Sequence, residues 1–182
     1  MRTLKLLVGS MATMALVFTA TAAALAQEEA EGPSPLMAGS AEGEMIADLE
    51  NPAGCEIGFT SIATATGEST LLGPTTVVVQ NCYTPEDVLM NMHDATTTFS
   101  NEAGDTITAD GPGDCVPSWV EEIGAEWMCV SMAEVTGGTG QFEGASGQIN
   151  FVGTITNSGY DEEGLPTIPH PVSIVFEGLV EY

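Results

Sequence analysis

After Lys5 the chain contains neither lysine nor arginine, while all of its 26 Asp and Glu residues lie beyond position 26. No ordinary salt bridge can form in residues 27–182, whose side-chain charge is −26 with the histidines neutral. Such a chain repels itself unless salt screens it or cations bind it. At about 1 M salt the Debye length is only about 3 Å, so the composition points to a saline habitat. The expected outcome is a melting temperature that climbs with NaCl; a flat curve up to molar salt contradicts the reading. The same charge excludes nucleic acid as a partner, because displacing counterions from phosphates requires Lys and Arg.

The two basic residues belong to a leader. Met1–Lys5 is a short basic stretch, Leu6–Ala23 is apolar and small, and Ala24-Leu25-Ala26 is a cleavage site before Gln27. Residues 1–26 read as a signal peptide. The chain is expected to be exported, periplasmic or extracellular, with no membrane association after cleavage. The 182 residues less this leader leave 156, enough for one domain. Residues 27–52 are acidic, rich in Gly, Pro and Ala, and poor in aromatics, which predicts a flexible tail or linker. Within it, Met45–Leu49 could make one helical turn. Residues 53–182 form the folded domain.

Four cysteines remain, Cys55, Cys82, Cys115 and Cys129. An even number in an exported chain reads as two disulfides. Three connectivities are open. Cys55–Cys82 and Cys115–Cys129 is favoured, because each pair brackets a plausible hairpin. A thiolate metal site is the alternative, but the C-x-x-C spacing common in zinc sites is absent.

From Cys55 onward the sequence alternates short β-branched runs with turn residues. Strands are predicted at 55–66, 75–82, 88–100, 106–110, 125–136, 147–156 and 172–182. Turns are predicted at 67–74, 101–105 and 111–114, and 119–124 is ambiguous. Alternation is clearest near the end: Val172, Ile174, Phe176 and Val180 share one face, and Ser173, Glu177 and Glu181 the other. No helix is predicted after residue 55. Seven or eight strands at this spacing indicate an all-β, antiparallel, eight-stranded barrel or a sandwich. Trp127, Ile149, Phe151, Ile174 and Phe176 are the candidate interior and ligand-pocket residues. An eight-stranded barrel is either filled by side chains or holds one small ligand.

The run Gly137–Ile149, "GGTGQFEGASGQI", poses a choice between a phosphate loop and a strand connection. A dinucleotide loop needs G-x-G-x-x-G opening a helix. Here Glu143 stands where the third glycine belongs, and a strand pattern follows. The run is therefore read as a turn: Gly137, Gly138 and Gly140 permit a tight connection, Phe142 plugs the end of a core, and Gly144 and Gly147 allow close approach as the next strand starts. The stretch "TGGTGQFEGASGQINFVGTI" resembles the signature of the allene oxide cyclase/dirigent-like barrel superfamily. The segments "GDTITAD" and "VSIVFEGLVEY" sit where that family has strands. The resemblance implies a calycin-like barrel with an apolar cavity, and relatives that cyclise, isomerise or steer reactive intermediates. That family pairs acidic groups with a basic residue and usually has Arg before the motif's Phe; here the residue is Gln141.

Met90, Met92 and His93 suit copper by type, but on a strand His93 faces away from the two methionines. Packing of Met90, Met92, Met128 and Met132 inside the barrel is the simpler reading. His93 could join a Ser-His-Asp arrangement, although Asp94, adjacent on a strand, is expected to face away. His170 lies in a Pro-rich loop. Asp105, Asp110 and Asp114 flank a turn without calcium-loop spacing. No metal and no cofactor is assigned. The expected function is non-catalytic binding of a small apolar ligand, or a structural or interaction role. The alternative is a dirigent- or cyclase-like enzyme, for which Glu56, Asp94 and Glu134 are the carboxylates to examine for an inward orientation.

Overall fold

The computed structural model describes residues 35–48, 55, 58–86, 89–120, 124–156 and 169–182; the proposed leader lies outside these. The described residues form nine strands: β1 Leu36–Asp48, β2 Phe59–Ser69, β3 Gly73–Glu86, β4 Leu89–Asn101, β5 Thr106–Asp110, β6 Gly113–Val120, β7 Gly124–Gly138, β8 Ser146–Thr156 and β9 His170–Glu181. All pairings are antiparallel. The order β3-β2-β1-β9-β8-β7-β5-β4 closes on itself through β3–β4, giving an eight-stranded barrel. The ninth strand, β6, follows β5 end to end: both pair with β4 on one side and β7 on the other. Closure leaves no long edge to be shielded from other chains.

Two elements correct the sequence reading. Residues 36–48, expected in a flexible tail, are β1, which joins β2 to β9 and completes the wall. Its pattern is muted because two of its inward positions are glycine. Met37, Ala41 and Met45 are buried. Gly39 stands opposite Phe176, and a Cβ there would meet the Phe176 ring and the Glu68 carbonyl. The glycine makes room for the aromatic ring across the ladder. The second correction is β6, which covers residues read as a turn and as ambiguous. Pro117 sits in it two residues past Cys115, the last residue of β6 paired with β4 among the described residues.

Phe99, Phe151 and Phe176 form an aromatic layer across the interior. Phe99 stacks on Phe151 at 5.8 Å and meets Phe176 edge-on at 4.9 Å. On one side of it lie Met37, Val77, Ile107 and Val180, all fully buried. Phe142 closes that end. It sits in a single 3-10 turn, Gly140–Phe142, is fully buried, and packs edge-on against Tyr182 at 5.0 Å. Gly137, Gly140, Gly144 and Gly147 all have positive φ, and a Cβ on Gly138 would strike Phe142. On the outer wall, Val130, Val152 and Val175 form one exposed cross-strand row. Met128 and Met132 flank it and point outward, contrary to the interior placement expected from sequence.

Candidate functional site

Beyond the aromatic layer, away from Phe142, the interior is not filled. A cavity of ≈ 70 Å³ lies there, walled by Met45, Ala63, Met92, Ala95, Phe151 and Ile174 among others. It is open because inward positions of β2, β4 and β7 carry alanine (Ala63, Ala95 and Ala133) where a barrel core would carry Leu, Ile or Phe. Thr97 of β4 is a buried polar residue of its lining, and a polar side is built by neighbouring inward residues of β2 and β3. Ser61 faces Asn81 and Phe59 faces Tyr83 across the ladder, and all but Phe59 are buried. The Ser61 hydroxyl donates to Asn81 Oδ1 at 3.1 Å. The Asn81 Nδ2 group is buried and has no hydrogen-bond partner among the described residues. Tyr83 packs its ring on Phe59 at 5.5 Å, and its hydroxyl lies 3.9 Å from Cys115 Sγ. Burial pushes the Tyr83 hydroxyl above its ordinary pKa; the neighbouring Asn81 and Ser61 side chains favour the phenolate and offset this only in part. The phenol therefore stays protonated and able to donate.

Two disulfides frame this half of the barrel. Cys55 is bonded to Cys82 and Cys115 to Cys129. The second joins directly opposed residues of β6 and β7, and Cys129 borders the cavity. Disulfides fit a non-reducing compartment. No helix among the described residues is long and apolar enough to cross a membrane.

Of the five expected pocket residues, Phe151 and Ile174 border the cavity. Ile149 and Phe176 are fully enclosed in packed core, and Trp127 is partly buried against the core. The polar residues Ser61, Asn81 and Tyr83 escaped the sequence reading. A signal existed: Val77, Val79, Asn81 and Tyr83 share one strand face, so a strand assigned at Val77 places Asn81 and Tyr83 inside. Of the carboxylates to be tested, Asp94 and Glu134 face solvent, and Glu56 lies outside the described residues.

A second grouping lies on the outer wall. The β3–β4 register slips between Gln80 and Cys82, and opposite the slip Asp94 takes φ +49°, the one positive φ among described non-glycine residues. This bulge keeps Met92 and Ala95 both inward. It also overturns the expectation that Asp94 faces away from His93: Asp94 Oδ2 is 2.9 Å from His93 Nδ1, and His93 Nε2 is 2.8 Å from Thr84 Oγ1. Cys82 lies close enough to form a ligand cluster with His93 and Asp94, but its sulfur is held in the disulfide. Met92 is buried while His93 reaches the surface, so the Met–His motif does not converge. Asp105 is tied to Asn101 and Asp110 to Thr136. His170 belongs to β9, opposite Met45, rather than to a loop, and partial burial lowers its pKa.

No protein-family profile matches the chain, and no curated protein matches it significantly.

Proposed function

We propose that this is an exported acidic barrel that binds a small apolar molecule in the open half of its interior. The observation that carries the reading is the asymmetry of the core: one half is packed to full burial, and the other keeps an apolar cavity with a polar wall. Pockets that bind small molecules share this composition, mostly apolar with few placed polar groups. The resemblance of the glycine-rich run to the allene oxide cyclase/dirigent-like superfamily supports a cavity-bearing barrel and an exported setting, as do the two disulfides. Native mass spectrometry of the oxidised, leader-free protein tests it. Extra mass released on denaturation supports a carried ligand; a bare polypeptide, together with no shift of cavity methyl signals on titration with small apolar molecules, favours a structural role.

The Asp94–His93–Thr84 alignment favours a second, catalytic reading. Nδ1–H donation to Asp94 leaves His93 Nε2 to accept the Thr84 hydroxyl proton, the arrangement of an activated nucleophile. It ranks second because it sits on the outer wall, apart from the cavity. Hydrolysis of an activated ester that is lost in His93→Ala would raise it to first place; equal rates in both proteins would remove it.

A further inference from the structure

The polar side of the cavity narrows the chemistry of what it holds. Asn81 is 3% exposed. Its carbonyl oxygen already takes the Ser61 hydroxyl, so its amide nitrogen is the group left without a partner. A buried N–H without an acceptor is rare in folded proteins and calls for a specific explanation. Tyr83, two residues along the same strand, brings a second donor to the same wall. Thr97 of β4 is a further buried polar side chain at the cavity, and most of the remaining inward lining is Ala, Met, Val, Ile and Phe.

Resting on the binding reading above, we infer that the ligand carries one hydrogen-bond acceptor oxygen, in the simplest case a carbonyl, that docks on Asn81 Nδ2 beside the Tyr83 hydroxyl while a short apolar body fills the space toward the Phe99–Phe151–Phe176 layer. The volume limits that body. An engineered cavity of about 150 Å³ holds benzene, so ≈ 70 Å³ suits a molecule of fewer heavy atoms, or the head of a longer one that leaves through the barrel end. The neutral donors and the absence of Lys and Arg beyond Lys5 select a neutral oxygen over a carboxylate or phosphate, whose charge nothing at this wall would balance.

The test compares 2-butanone with 2-methyl-1-butene, which replaces the carbonyl oxygen by a methylene of similar shape. Each is titrated into the oxidised, leader-free protein carrying 13C-methyl methionine and 15N. The methyl signals of Met45 and Met92 report entry into the cavity, and the Asn81 side-chain NH2 signal reports anchoring. The expected result is entry of both, a roughly three- to tenfold preference for the ketone, as one net neutral hydrogen bond gives, and a shift of the Asn81 NH2 signal with the ketone alone. In Asn81→Leu the preference vanishes and the alkene still binds. Equal binding with an unmoved Asn81 signal overturns the acceptor-oxygen inference and leaves the apolar-binding reading standing. Unmoved Met45 and Met92 signals with both compounds overturn the two together. If Asn81→Leu fails to fold, Tyr83→Phe and the wild-type Asn81 signal decide: a ketone preference that Tyr83→Phe reduces supports the anchor, and no preference in either protein refutes it.

Discussion

The two halves of the barrel interior are built on different terms. Toward Phe142 the core is close-packed: Met37, Val77, Phe99, Phe142 and Ile107 are fully buried, and an aromatic plug seals the end. Away from Phe142 the inward positions include Ala63, Ala95, Thr97 and Asn81 beside Met45, Met92 and Tyr83, and a cavity remains. Both disulfides belong to the second half: Cys82 is next to Tyr83, and Cys129 borders the cavity. Burial of large side chains holds one half, at about 1.5–3 kcal/mol for each fully buried aliphatic or aromatic group. Covalent links compensate in the other, where a cavity stands in place of packed side chains.

That contrast is most directly broken by truncating a large residue on each side. Phe176→Ala should destabilise by about 3–5 kcal/mol, since the ring is buried against Phe99 and Gly39 and leaves a void the rigid wall cannot close. Met92→Ala, which only enlarges an existing space, should cost about 2 kcal/mol. Denaturant melts of the two variants check this, and equal losses would show that the open half is packed as firmly as the closed one. The links come next. Replacing Cys55 and Cys82 by Ser should cost about 3.5 kcal/mol, and replacing Cys115 and Cys129 about 3 kcal/mol, following the longer and shorter loops they close. Amide exchange should rise first at β6 and at the 80–84 segment of β3. Loss of protection spread evenly round the barrel would deny the disulfides a local role.

How far this division could be read from the sequence depends on the side chains that mark it. The closed half announces itself: Phe142 between glycines and the alternation Val172, Ile174, Phe176, Val180 both specify strands around a plug. The barrel class followed from these runs. β1 did not, because Gly39 and Gly43 occupy inward positions and acidic residues the outward ones, which in sequence looks like a tail. Its role depends on Phe176 lying across Gly39, a pairing of residues 137 positions apart in the chain. The cavity was no more legible. Whether alanines leave a void is decided by which strands face each other, and the bulge at Asp94, which sets the facing of Met92 and Ala95, has no local signature beyond an aspartate's tolerance of positive φ.

Filling and overfilling give a smaller, signed effect. Ala63→Val and Ala95→Val add methyl groups to the open half and should leave stability within about 1 kcal/mol of the parent, while displacing any ligand. Ala145→Val, beside the buried Phe142, should cost about 1–3 kcal/mol by overpacking. Thermal melts of the three variants test the sign at each site. A stabilised Ala145→Val would place unused volume in the half described as full.

The smallest effect concerns the polar wall itself and appears only in alkali. Tyr83 has its pKa raised above 10.0 by burial. With the folded value above the unfolded one, its contribution is fully present below about pH 10. Above that, the unfolded chain releases the phenol proton first, so stability falls as pH rises toward the folded value. The parent protein should therefore lose stability above about pH 10 more steeply than Tyr83→Phe, and the phenolate absorbance of this tyrosine should appear together with unfolding instead of ahead of it. Parallel slopes in the two proteins would mean that water reaches the Tyr83 hydroxyl in the folded state. The open half would then be a wet vestibule, in which Asn81 finds its partner in solvent and no ligand oxygen is called for.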